Sequence, residues 1–265
     1  MVKAKKALGQ HFLKEEGIAR KIAESLLLEG NYGINGGISA PAKVLEIGPG
    51  TGVLTKYLLN REDVELFCVE IDNESVEYLK VNYPMLGEGL IEGDFLKMDL
   101  KALFPDRFLV IGNFPYNISS QIFFKLLDYR EMVPQIVCML QKEVAKRLAS
   151  PPGNKDYGIL SVLLQAWYDI DYLFTVDEGA FIPPPKVKSG VIRVVRNSRI
   201  SLNCDESQFK QVVKCAFNQR RKTIRNSVRS LFSGPLPEHH LLSMRPEQLS
   251  VEEFIELTKL IFPEK

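Results

Sequence analysis

A chain of 265 residues, 45% hydrophobic and 25% charged, has the material of a globular protein with one large domain, or a large domain and a small appendage. No apolar run approaches the roughly 18 residues of a membrane span, and no apolar signal core follows the basic stretch Met1–Lys6, so the expected location is the cytoplasm. The net charge of +1 excludes little, because it is unevenly spread: Ser207 to Pro237 contains Lys210, Lys214, Arg220, Arg221, Lys222, Arg225 and Arg229 and no acid, a basic patch inside a neutral total.

In chain order, residues 15–29 place Ile18, Ile22 and Leu26 at helical spacing and predict a helix. Residues 30–41, rich in Gly and Asn, predict a loop. Residues 43–47 predict a short strand ending in glycines, and a helix follows at about 52–60. Residues 64–71 are apolar almost throughout, as in a strand covered on both faces. Next come a helix at 73–82, a short strand at 90–91, a strand at 108–112, a helix at 118–128, a strand at 135–140, and helices at 141–149 and 158–166. Strands at 169–175 and 190–196, with little between them, predict an antiparallel edge pair. The alternation implies an α/β fold with a mainly parallel sheet. Beyond 197 the strands stop, so the expected division is 1–197 and a small helical domain over 198–265.

Cysteines 68, 138, 204 and 215 are scattered, without a CxxC pair or a Cys/His cluster, and no metal is expected. Cys68 and Cys138 read as buried free thiols. His239-His240 reads as solvated loop.

Glu46-Ile47-Gly48-Pro49-Gly50-Thr51-Gly52 follows the first long strand and opens a helix. Backbone can approach a nucleotide-like ligand there only where Cβ atoms are absent. A dinucleotide fingerprint would need glycine at 53, which is Val53, so a ligand without a pyrophosphate is favoured over that of an oxidoreductase. S-adenosylmethionine suits: its ammonium can meet backbone carbonyls and Glu46. Glu70 ends the next strand, where an acid can accept from both ribose hydroxyls; Asp72 competes for that role. Asp94 follows the third strand, either accepting from the adenine amine of the cofactor or capping a helix. Phe95 or Ile71 then packs on that ring.

Asn113-Phe114-Pro115-Tyr116 ends the fourth strand. An exocyclic adenine amine is a poor nucleophile because its lone pair is delocalised. The Asn113 oxygen and a carbonyl near Phe114 can accept its N–H bonds and favour a pyramidal nitrogen. Pro115 stiffens the turn, and Tyr116 offers a face for a flipped base.

These residues lie in a series that resembles the ribosomal RNA adenine-N6,N6-dimethyltransferases, the bacterial small-subunit enzymes in particular. The series comprises Gly9-Gln10-His11-Phe12-Leu13, the glycine turn, Gly93-Asp94, Asn113 to Ser119, Leu140-Gln141-Lys142-Glu143-Val144, Phe181-Ile182-Pro183-Pro184-Pro185-Lys186-Val187, and Phe217-Asn218-Gln219-Arg220-Arg221-Lys222-Thr223. The resemblance implies a Rossmann-like class I methyltransferase sheet with an antiparallel edge strand and a small C-terminal helical domain. It also implies a monomer that uses S-adenosyl-L-methionine to dimethylate two adjacent adenosines in the 3′-terminal hairpin of 16S rRNA, late in small-subunit assembly. By motif, His11, Leu13, Gly48, Glu70, Asp94 and Asn113 would contact the cofactor; with Gln10, Glu46, Gly50, Ile71 and Phe95 they make up the expected cofactor set. Phe181 would stack on the target base opposite Tyr116. His11 stands where the family often has Asn, and Phe114 where Leu is common; loop 30–41 looks longer than usual.

In the tail, Arg221, Arg225 and Arg229 are four apart and predict one basic helical face, with Ile224, Val228 and Leu231 turned to the core. With Arg220 and Lys222 they are the expected RNA-binding residues. A large-subunit methyltransferase of the resistance type shares the chemistry, and a non-catalytic assembly factor shares the RNA-binding features.

Overall fold

The computed structural model describes residues 2–28 and 41–263; the expected loop at 30–41 lies outside them except for Pro41. The chain opens with a two-residue strand β1 (Phe12–Leu13) and helix α1 (Glu16–Glu24). It then alternates through β2 (Ala42–Ile47), α2 (Thr55–Leu59), β3 (Val64–Glu70), α3 (Asn73–Asn82), β4 (Leu90–Glu92), α4 (Leu100–Leu103), β5 (Leu109–Asn113), α5 (Ser119–Asp128) and β6 (Gln135–Gln141). Helices α6 (Lys142–Ala149) and α7 (Ile159–Gln165) follow, then β7 (Tyr168–Val176), β8 (Phe181–Ile182) and β9 (Ser189–Arg196). The tail carries α8 (Glu206–Asn218), α9 (Ile224–Ser227) and α10 (Val251–Ile261). Among the described residues no helix is long and apolar enough to cross a membrane.

Seven strands form one sheet in the order β4-β3-β2-β5-β6-β9-β7. The pairs β3–β4, β2–β3, β2–β5 and β5–β6 are parallel, and β9 runs antiparallel to β6. This is the expected α/β fold. Residues of β5 and β6 are buried almost without interruption, as for strands covered by helices on both faces. The one buried amide there is satisfied: Gln135 accepts from the Leu27 N–H at 2.9 Å and donates to the Leu27 carbonyl at 3.0 Å. The expected helix over 15–29 stops at Glu24, where the Ser25 hydroxyl turns back to the Lys21 carbonyl at 2.7 Å. Strands β1 and β8 make a separate antiparallel pair, Phe12 opposite Ile182 and Leu13 opposite Phe181.

Contacts divide the chain into two compact units. One holds Met1–Ala145 and Asp169–Asn197; the other holds Lys146–Tyr168 and Ser198–Lys265. The division expected from sequence ends the first unit at 197, with 146–168 inside it. The buried Tyr157 ring instead packs edge-on against Phe217 at 6.3 Å, and Phe217 stacks on Phe254 at 5.8 Å. Helix α7, which starts two residues after Tyr157, also contacts α8 and α10. Helix α8 is capped by Asp205, which accepts from the Gln208 N–H at 2.8 Å. Ser250 and Glu253 form a reciprocal cap at the start of α10.

Candidate active site

The strand order reverses between β2 and β5, and a crevice forms beyond the carboxyl ends of strands at such a point. Here it encloses about 940 Å³, its open mouth included. Its wall is built from the turn after β2, the end of β3, Asp94 and Phe95 after β4, and Asn113 to Tyr116 after β5. The segment Leu8 to Leu13 closes another side, bringing Gln10, His11 and Leu13 to the same wall. Every expected cofactor residue therefore borders one cavity within the first unit.

Gly48 has φ +67° and nothing within 4 Å of the place a Cβ would take. It leaves bare backbone facing open space in the crevice, which is what a ligand pressed against the turn requires. Gly50 is fixed for a different reason: a Cβ there would meet the Phe12 ring at 2.9 Å. Phe12 thus lies on the turn, a contact that sequence spacing did not reveal.

Glu46 is 1% exposed. Burial pushes its carboxyl up to about 7, although Thr55 Oγ1 donates to it at 2.7 Å and the Cys68 thiol approaches at 3.7 Å. Glu70 is 3% exposed. Its Oε2 accepts from the Gly50 N–H at 3.0 Å, and its Oε1 from the Ile71 and Asp72 N–H groups at 2.9 Å each. Burial raises its carboxyl above the ordinary range. A carboxylate has about four acceptor directions, so the three backbone bonds leave Glu70 about one for a ligand hydroxyl, where two were expected.

Asp72, the competitor, is turned elsewhere. Burial resists its charge, but Lys5, Ser75 and Gln10 together hold its carboxyl below the usual range. Lys5 Nζ pairs with it directly, Ser75 donates at 2.9 Å and Gln10 at 3.5 Å. Asp94 caps the turn that follows, accepting from the Leu96 N–H at 3.0 Å, while still bordering the crevice. Of the two candidates for packing on a ring, Ile71 is 48% exposed and Phe95 is buried.

Asn113 Nδ2 donates to the His11 carbonyl at 3.0 Å. That leaves the amide oxygen as the free end of the side chain. Phe114 is fully buried and meets Phe123 edge-on at 5.8 Å, anchoring the turn from behind. The Pro115 carbonyl is held by the Ile118 N–H at 3.2 Å. The Tyr116 hydroxyl lies 2.6 Å from Ser189 Oγ, and burial raises its ionisation above the ordinary phenol range. Its ring stacks against that of His11 at 5.5 Å and 29°.

Phe181, expected to stack on the target base, lies away from the crevice. It is 2% exposed, packs in the core with Leu13, Ala180 and Val191, and is absent from the crevice wall. Alternation along β8 sends Phe181 inward and exposes Ile182. In this structure the Phe181 ring is packed inside and does not line the crevice.

The basic helical face is also corrected. Gln219 ends α8, and Thr223 in extended backbone starts α9, which spans only Ile224–Ser227. Arg221 lies in the turn before it and Arg229 in a 3-10 turn after it, so the three arginines share no helix. Ile224 and Val228 are buried as expected. Arg221, Lys222 and Arg225 are exposed. Arg220 reaches the Lys155 carbonyl and lies 4.0 Å from Glu247, and Arg229 donates to the Gly234 carbonyl at 3.3 Å. His239, expected in solvent, is half-buried, with Nε2 3.2 Å from Glu256 on α10.

A family model described as ribosomal RNA adenine dimethylase matches residues 1–261. The chain belongs to this family. Among its relatives, the dimethylase-family chain is 56% identical over 264 residues to a ribosomal RNA small subunit methyltransferase A of Cytophaga hutchinsonii, covering 98% of each. It is 58% identical to one of Parabacteroides distasonis, covering 97% of this chain and 94% of that protein. Among solved structures, a dimethyladenosine transferase from Plasmodium falciparum superposes with a TM-score of 0.72 at 25% identity, over 93% of this chain and 96% of that one. The 23S rRNA methyltransferase ErmE shares the fold, with a TM-score of 0.63 at 24% identity over 94% and 99%. The class I methyltransferase sheet described above is thus common to this dimethylase and its structural neighbours.

Proposed function

We propose that the chain transfers methyl groups from S-adenosyl-L-methionine to the N6 amines of two adjacent adenosines in the 3′-terminal hairpin of 16S rRNA, during late small-subunit assembly in the cytoplasm. The observation that carries this reading is the Asn113 side chain. Its nitrogen is committed to the His11 carbonyl, so its oxygen is the group left to accept from an amine.

The residues present fit the cofactor. Gly48 offers bare backbone on open space, Glu70 keeps one acceptor direction beside it, and Ile71 exposes an apolar face. His11, Leu13, Glu46, Asp94 and Phe95 border the same cavity. S-adenosylmethionine, when bound, supplies an electrophilic methyl on a sulfonium. An ammonium brought beside Glu46 draws that carboxyl back toward its charged form, offsetting its burial.

Asn113 accepts an N–H of the target amine and lowers the delocalisation of its lone pair. Pro115 holds the turn before substrate arrives, so alignment is not lost to reorganisation. The face of Tyr116 supports the base. The nitrogen becomes acidic as it gains a methyl, so no strong base is needed.

Arg221, Lys222 and Arg225 in the second unit take rRNA phosphates, with Arg220 and Arg229 shaping the loops around them. The test is incubation of the purified protein and labelled S-adenosylmethionine with small and large ribosomal subunits lacking N6-methylated adenines. Label is expected in small-subunit rRNA. No label, or label confined to large subunits, overturns the reading.

A further inference from the structure

We propose that His11 is a positioning residue for the target amine, a role distinct from cofactor contact; the proposal rests on the reading of Asn113 given above. Three parts of the site converge on this one residue. Its carbonyl takes the Asn113 Nδ2 donor at 3.0 Å. Its ring nitrogen Nδ1 lies 2.9 Å from the Pro183 carbonyl. Its ring stacks on Tyr116 at 5.5 Å and 29°.

Each contact has a consequence. A carboxamide can rotate by half a turn about its last bond, exchanging oxygen and nitrogen. The exchanged form of Asn113 would set its oxygen against the His11 carbonyl oxygen and aim a donor at the amine. The His11 carbonyl removes that form and keeps the acceptor toward the reaction. It can do so only while residue 11 stays in place.

The ring anchors it. A carbonyl only accepts, so Nδ1 must carry the proton in the bond to Pro183. That bond continues the ladder in which Phe12 faces Ile182 and Leu13 faces Phe181, and the Lys14 N–H extends it to the Ala180 carbonyl at 2.9 Å. The same ring backs Tyr116, whose hydroxyl is tied to Ser189. Acceptor and stacking ring are therefore registered to each other through His11. Phe181, being buried, cannot supply that link.

The substitutions His11→Ala, His11→Asn and His11→Phe separate the parts. Asparagine places its Nδ2 the same number of bonds from Cα as the imidazole Nδ1, so it keeps the donor without the ring. Phenylalanine keeps a ring without the donor. For each variant, cofactor affinity is measured by calorimetry, which also reports folding. Turnover and the ratio of mono- to dimethyladenine are measured at saturating cofactor and small subunits. At saturating cofactor, His11→Ala is expected to lower turnover by at least about tenfold and to raise the monomethyl share, a loss that added cofactor does not restore. His11→Asn recovers more of the loss than His11→Phe. A loss confined to cofactor affinity, unchanged turnover in His11→Ala, or a His11→Phe variant better than His11→Asn overturns the proposal. Should His11→Ala not fold, the Asn and Phe variants carry the same comparison. Wild-type protein that methylates no adenine instead overturns the function reading itself.

Discussion

Glu46 and Glu70 in the first unit are 1% and 3% exposed, and protein donors bond each carboxylate. Arg221, Lys222 and Arg225 in the second unit stand in solvent, within a stretch that has no acid from Ser207 to Pro237. Buried charge is held in one geometry and acts at low local dielectric. Exposed charge has no fixed geometry, acts over about a Debye length and is screened by salt. The first arrangement discriminates between atoms of a small ligand. The second discriminates a polyanion from everything else. On the proposed function, choice of reaction falls to one unit and choice of substrate to the other.

Four variants can break or sharpen that division. The largest effect is expected from Phe181→Ala. If Phe181 is core support, the variant loses about 3–5 kcal/mol of stability in denaturant unfolding; full stability with selective loss of turnover would restore it as a stacking face. Asn113→Ala removes the acceptor and should lower turnover by roughly 10²–10³-fold, with filter binding to subunits intact. Turnover that survives would move the chemistry away from this segment.

Glu46→Gln tests the cost of buried charge. The folded protein holds the Glu46 proton up to about pH 7, whereas the ordinary value is 4.5. Because the folded-state value is the higher one, the group's favourable contribution is present below the ordinary value and is lost as pH rises toward 7. Glutamine mimics the protonated acid at every pH. In ligand-free unfolding the variant should match wild type near pH 4.5 and exceed it above pH 7, by about 3 kcal/mol at most. Its cofactor affinity should fall. Equal stabilisation at all pH values would show that ionisation of Glu46 is not what the site resists.

The smallest effect is expected from replacing Arg221, Lys222 and Arg225 together by Ala. Subunit affinity should drop by about tenfold or more, and the slope of log affinity against log salt should shrink by about 2 to 3. An unchanged slope would remove these residues from the RNA contact.

The parts legible in the sequence were those carried by short spacings. Gly48 and Gly50 after a strand, Glu70 at the end of the next, and Asn113 to Tyr116 at the end of a third need only a parallel sheet to bring them together. What was not legible depends on contacts distant in sequence. Strands β1 and β8 have two residues each, too few for any periodicity, yet their pairing buries Phe181 and seats His11 beside Asn113. The same blindness applies to Phe12, whose ring explains Gly50, and to Lys5, which pairs with Asp72. The basic helix failed for a local reason. The spacing of Arg221, Arg225 and Arg229 fits a helix, but Thr223 in extended backbone interrupts it. Tyr157 drew Lys146–Tyr168 into the second unit through aromatic packing, which no break in composition announces.

The most direct measurement is identification of the product at nucleotide resolution, by mass spectrometry of rRNA from small subunits treated with the protein and S-adenosylmethionine. The account predicts N6,N6-dimethyladenine at two adjacent positions near the 3′ end. Methylation at another atom, or no methylation in the presence of intact Asn113, would contradict it.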